Sequence, residues 1–177
     1  GNQYHFEKLG GKDFDWLLHH EFGHEWWANK VTNRDWAHMW IQEGIDVFGD
    51  AMATRELAGE DAYIKRMQQI AINIDNKYPV VRGDEVDSDS AYQPDIYGKG
   101  AFFMHTLRFV LGDDIFFATL KKLATAPEYT YDNTVVTADV EKLFSGAYNK
   151  NLHPLFHLYL YTTDKLEISV KKIAVNK

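Results

Sequence analysis

The pentapeptide His20-Glu21-Phe22-Gly23-His24, within Leu-Leu-His-His-Glu-Phe-Gly-His-Glu-Trp-Trp, constrains this chain more than any other stretch. On a helix, residues four apart project from one face, one turn above the other, because each residue advances about 100°. His20 and His24 would then offer two imidazoles to a single zinc ion. Glu21 points about 100° round from His20 and about 60° from His24. That sets its carboxylate beside the ion, where it can take a proton from water. The arrangement is that of metalloproteases. Gly23 lowers helix propensity by about 1 kcal/mol relative to Ala, which points to close approach of another backbone or of substrate.

Two histidines do not complete a site. With 8 His and 10 Glu in 177 residues, chance alone would give this spacing about 0.02 times per chain, and a zinc site needs further protein ligands. Eighteen residues separate His24 from Glu43, which lies in Trp-Ile-Gln-Glu-Gly at the start of a second helical stretch. Requiring a Glu at that one position lowers the chance figure to about 0.001. The plain alternative is a buried helix with two satisfied histidines. Without cysteine there is neither a disulfide framework nor a thiolate zinc site, so any metal must be held by His and carboxylate.

Periodicity and turn residues place the remaining elements. Residues 1–12 read as a loop or short edge segment. Asp13 or Asp15 can cap a helix running from about Phe14 to Asn29. Its Trp16, Leu17, Leu18, Phe22, Trp26 and Trp27 scatter around the axis, so it should be buried on most sides. A Trp-rich connection over 30–40 leads to a helix over about 41–57, closed by Gly59. A third helix is expected over 61–76, and 78–95 reads as a long acidic loop. Further helices are expected over 97–111, 113–125, 138–149 (capped by Thr137) and 154–162. Alternation from Leu166 to Val175 suggests a strand with a bulge that needs a partner elsewhere. The expected fold is mainly α (α+β overall), with about seven helices and a C-terminal β-strand. Residues 1–163 form the main domain, and 164–177 begin a following β segment.

On the second helix Glu43, Val47, Asp50 and Thr54 share a face. Asp50, and less directly Asp46, are therefore candidates to accept a hydrogen bond from the free nitrogen of a metal-bound His; solvated surface carboxylates are the commoner role. His153 and His157 also sit four apart, but no acid follows the first and no third ligand stands nearby. They read as helix-start and core residues. The formal charge of -7, with dispersed Lys and Arg, argues against nucleic-acid binding. No apolar run approaches the ~18 residues of a membrane span. A Gly-rich phosphate loop, a Gly-x-Ser-x-Gly elbow and a Cys nucleophile are all lacking, which removes other common enzyme classes.

Taken together, His20-Glu21-x-x-His24 and Glu43 resemble the gluzincin aminopeptidases of the aminopeptidase N and leukotriene hydrolase family. Trp26, Asn29 and Val31-Thr32 match as well. Trp40-Ile-Gln-Glu-Gly stands where the family reads Trp-Leu-Asn-Glu-Gly, and Tyr97-Gly-Lys-Gly100 where it reads Tyr-Glu-Lys-Gly. The resemblance runs over about residues 15–163 and implies a thermolysin-like zincin catalytic domain. It further implies one Zn2+ on His20, His24 and Glu43, Glu21 as general base, and Tyr97 as donor to the oxyanion. Tyr92 matches a tyrosine found near substrate in some members. Taken without the family, Tyr97 is simply an aromatic at a helix start. Departures are Gln42 for Asn, Asp46 for a small residue and Gly98 for Glu. The family's Gly-x-Met-Glu-Asn strand, which holds the substrate's amine, does not occur in these 177 residues. An N-terminal β domain and a C-terminal region are expected as further parts of the polypeptide. These residues alone should therefore show weak or no aminopeptidase activity towards peptides. The alternatives are a non-peptidase zinc hydrolase, epoxide hydrolase-like, or a non-catalytic zinc-stabilised scaffold.

Overall fold

Two glycines set how closely the central helices approach. The computed structural model describes residues 6–166, and at its centre α2 (Glu43–Ala58) crosses α5 (Pro94–Leu111). A Cβ on Gly44 would lie 2.7 Å from the Ile96 carbonyl oxygen and 2.8 Å from Gly100 Cα, so the two backbones touch where side chains would normally intervene. Around this crossing Trp40, Phe48, Phe103, Met104, Phe116 and Phe156 are fully buried. Trp40 meets Phe103 edge-on at 5.5 Å, and Phe103 meets Phe156 at 4.7 Å, a geometry aromatic quadrupoles favour.

The other elements surround this pair. A hairpin of β1 (Phe6–Leu9) and β2 (Lys12–Asp15) pairs antiparallel with Leu9 opposite Lys12 and leads directly into α1 (Trp16–Gly23). The short β3 (Thr32–Asn33) is followed by a 3₁₀ turn at Trp36–Ile41 and then α2. Next come α3 (Glu60–Ile72), the four-residue α4 (Ser88–Ala91), α5 and α6 (Asp113–Thr125). After them β4 (Thr134–Val135) pairs in parallel with β3 and ties the stretch after α1 to α7 (Thr137–Tyr148). The last described elements are α8 (His153–Phe156) and a π turn at His157–Tyr161. This is the mainly helical fold expected. The strand expected from Leu166 onward lies almost wholly outside the described residues.

Several expectations need correction. Of the loop and the short edge segment expected before the first helix, residues 6–15 form the latter, a hairpin that also takes in Phe14, expected as the helix start. The first helix stops at Gly23, not Asn29, and the chain continues in turns. It buries none of its residues, with Leu18 67% and Phe22 61% exposed, so its apolar side chains face away from the described core. α5 starts at Pro94, where a proline lacking an N–H suits the first turn.

Thr137 is not the cap of α7 either. The Val136 N–H donates to Asp139 Oδ2 at 3.0 Å, satisfying the helix start. Thr137 is instead fully buried; its hydroxyl accepts from Trp40 Nε1 at 2.8 Å and lies 2.9 Å from His38 Nδ1. The Thr137 N–H also donates to His38 Nδ1, at 3.4 Å. Nδ1 is thus an acceptor, the neutral tautomer. Burial holds the His38 imidazole below its usual value although Asp84 lies beside it. Because the folded pKa is depressed, the stability from this site is complete above about pH 6.5, the ordinary value. It falls as the pH drops through the window below that, where the unfolded chain takes a proton the folded one refuses. His38→Asn, which keeps an acceptor but cannot titrate, should flatten that part of the slope of urea midpoint against pH. An unchanged slope between pH 5 and 7 would count against the assignment.

Candidate metal centre

The site begins with a helix start that local chemistry dictates. Asp15 caps α1 by accepting from the Leu18 N–H at 3.1 Å. His24, at the end of α1, keeps helical angles (φ -63, ψ -12), so the four-residue spacing to His20 survives although the helix stops there. The two rings lie 4.8 Å apart and nearly perpendicular. α2 packs against α1 and presents Glu43, Asp46 and Asp50, all at least 95% buried.

Glu43 Oε2 lies 3.5 Å from His20 Nε2 and 3.4 Å from His24 Nε2. This oxygen is buried and has no hydrogen-bond partner among the described residues. A tetrahedral ion with bonds of about 2.0–2.2 Å needs ligand atoms about 3.3–3.6 Å apart. The donor set, its spacing and the orphaned oxygen therefore fit a zinc-like cation. Asp46 offers a rival third ligand, since its Oδ2 lies 3.4 and 3.5 Å from the two Nδ1 atoms. The chemistry favours Glu43. His24 Nδ1 already faces the Trp27 carbonyl at 3.1 Å and His20 Nδ1 faces Asp50 Oδ2 at 3.1 Å, so in its neutral form each ring carries its N–H on the Nδ1 side and its lone pair on Nε2.

Asp50 is the acceptor beneath His20 that its place on the helix suggests, and Asp46 lies under both rings slightly beyond hydrogen-bond distance. Spacing does not single out His19: its Nδ1 lies 2.6 Å from Asp50 Oδ1, so one carboxylate serves two consecutive histidines. Only the position of His19 next to His20 hints at this, because its partner is on another helix. Gly23 is also explained, and not by a backbone or by substrate: a Cβ there would collide with Asp46 Oδ1.

The hydrogen bond to Asp50, then the facing Glu43 carboxylate, push His20 up to about 10 against the opposing effect of burial. Burial lifts Asp46 to about 6. Asp50 is pulled below the usual carboxylate range because hydrogen bonds from His19 and His20 outweigh its burial. The three acids thus favour a positive charge between the imidazoles, whether proton or metal ion.

The Nε2 side opens into a cavity of about 410 Å³ lined by His20, Glu21, His24, Glu43, Tyr92 and Tyr97, with Ala28 and Gln42. All the expected chemical groups except Asp46 and Asp50 therefore line one space. Tyr92 donates to Glu43 Oε1 at 3.2 Å, touching the candidate ligand directly. The Tyr97 ring lies 6.4 Å from that of His20. Burial and then the Glu43 charge raise its phenol well above the usual value, keeping it a donor. A second cavity, about 490 Å³, lies beside Lys99 and Phe102. Its lysine already donates to Asn76 Oδ1 at 2.6 Å and to the Thr162 carbonyl at 2.8 Å, and no metal-ligand cluster among the described residues lines it.

With this geometry in view, the comparison with known proteins is direct: a family model described as Peptidase family M1 domain matches residues 11–159. The chain belongs to peptidase family M1. It is 31% identical over 107 residues to aminopeptidase N of Caulobacter vibrioides, an alignment covering 56% of this chain and 12% of that protein. It is also 31% identical over 109 residues to human aminopeptidase B, covering 55% of this chain and 17% of that one. The chain therefore spans under a fifth of the length of these relatives. An M1 zinc metallopeptidase from Deinococcus radiodurans shares the fold with a TM-score of 0.73 at 20% identity, over 89% of this chain and 35% of that one. Native leukotriene A4 hydrolase from Saccharomyces cerevisiae gives 0.68 at 20% identity, over 88% and 27%.

The second histidine pair of this M1 chain forms no such centre. His153 and His157 are both exposed, and His153 Nδ1 faces Glu141 Oε1 at 3.1 Å. His157 is not a core residue, because Phe156 and Leu160 take the inward positions. No helix among the described residues is long and apolar enough to cross a membrane.

Proposed function

We propose that this chain carries the catalytic centre of a zinc-dependent aminopeptidase, releasing N-terminal residues from peptides. One observation carries the reading: two imidazole Nε2 atoms converge on the orphaned Oε2 of Glu43 at the wall of a cavity that Glu21 and Tyr97 also line. Membership of the M1 family and the aminopeptidase relatives support the substrate class. On this reading residues 1–163 form the catalytic domain, and one Zn2+ is held by His20, His24 and Glu43.

Zinc so bound supplies Lewis-acid polarisation and lowers the pKa of water beside it. Glu21 accepts the proton that water sheds as its oxygen bonds to the scissile carbonyl carbon. It then delivers that proton to the amine nitrogen as the C–N bond breaks. Tyr97 donates a hydrogen bond to the carbonyl oxygen as negative charge collects there. Tyr92 steadies Glu43 and presents its ring to the bound peptide. Asp50 holds His20 in the tautomer that leaves Nε2 free. The relatives contain much more chain. The remaining polypeptide, an N-terminal β domain and a C-terminal region, supplies the wall that anchors the substrate's amine.

Metal analysis tests the centre directly. The purified protein should hold about one zinc, and Glu43→Ala should lose it at the same free zinc concentration, because two histidines alone make an incomplete site. A wild type without zinc that cannot be reloaded sinks the reading. With zinc present, full-length polypeptide that opens lipid epoxides but leaves aminoacyl-anilides intact would move it to another class of hydrolase.

A further inference from the structure

We propose that His19 is a positioning residue for the zinc centre: by clamping Asp50 it orients His20 and holds α1 against α2 before any ion is bound. The inference rests on the zinc reading above. Asp50 is 5% exposed, and its two oxygens are divided between consecutive residues of one helix, Oδ1 to His19 at 2.6 Å and Oδ2 to His20 at 3.1 Å. A carboxylate fixed at both oxygens cannot rotate about its terminal bond, so the direction of the His20 ring follows from that of His19.

The need for such a clamp comes from α1 itself. The helix buries none of its residues, so apolar packing does little to seat it. The other approaches from α2 are Glu43 to the two Nε2 atoms and Asp46 to the two Nδ1 atoms, all at 3.4–3.5 Å. Among the described residues, the hydrogen bonds joining α1 and α2 side chains both end on Asp50. The centre of the His19 ring lies 5.1 Å from that of Phe14 on β2, which limits its swing. His19 is thus bracketed between the hairpin and α2, and it needs no metal to stay there.

The test compares zinc affinity, by competition with a chromophoric chelator, in the wild type and three variants. Asn places an N–H donor where His Nδ1 stands, whereas Gln places it one bond further out and Ala has none. His19→Ala and His19→Gln should weaken zinc binding about 10–100-fold, the range for loss of a group that orients a ligand. His19→Asn should return to within a few-fold of wild type. Amide exchange in α1 of the metal-free protein should quicken in the Gln variant and not in the Asn variant. If His19→Ala fails to fold, the Asn and Gln pair still decides. Equal zinc affinity in the Asn and Gln variants overturns the inference while leaving the zinc centre intact. A wild type that binds no zinc in the same assay overturns the reading on which it rests.

Discussion

Glu21→Gln should leave zinc content unchanged and lower peptidase turnover by about 10²–10⁴-fold, the contribution of a positioned general base. Glu21 lines the cavity without belonging to the three converging donors, so an amide of the same shape leaves the metal shell alone. What the proposed mechanism loses is the group that takes a proton from water and hands it to the leaving nitrogen. The measurement is turnover of an aminoacyl-anilide by the full-length polypeptide, with zinc determined on the same samples. Wild-type turnover in the variant would place the base elsewhere, and loss of zinc would make Glu21 a ligand.

The second large effect concerns the frame. Gly44→Ala should destabilise the fold by about 1–3 kcal/mol or more, the usual effect of overpacking, because the new methyl meets backbone atoms of α5 that cannot swing aside. Gly49→Ala, five residues along the same helix, is the internal control. A Cβ there finds only Asp46 Oδ1, at 3.8 Å. It should be neutral or stabilising by up to about 1 kcal/mol through helix propensity. Urea denaturation of the two variants separates the cases, and equal midpoints would mean the helix crossing is looser than described. Since α5 carries Tyr97 and α2 carries Glu43, a shift at this crossing also moves these two side chains against each other.

The legible and illegible parts of the site differ by the distance over which their cause acts. His20, Glu21 and His24 share one helical turn, and Glu43 opens the next long helix, so spacing alone gathers them. Asp50 can be read because it shares a face with Glu43. His19 cannot, since its meaning depends on how α1 lies across α2, which no periodicity encodes. Trp26 and Trp27 continue an apolar pattern past Gly23 and make the helix look longer than it is. Leu17, Leu18 and Phe22 are expected inside because apolar side chains usually are. In the fold they face outward, a property of what the described residues leave uncovered rather than of the helix pattern. Thr137 looks like a cap from its neighbours, while its partners, Trp40 and His38, lie about a hundred positions earlier.

The carboxylate of Asp46 fills the space that a side chain on Gly23 would take, and this makes the two positions a single evolutionary variable. A lineage that gains a methyl at 23 must shorten 46 or swing its carboxylate away from the two histidines, and the acid packs as it does here only beside a glycine at 23. Exchange by single steps runs through a clash in one order and through a void in the other. Among relatives the two positions should therefore change as a pair, and a sequence holding bulk at both should be avoided.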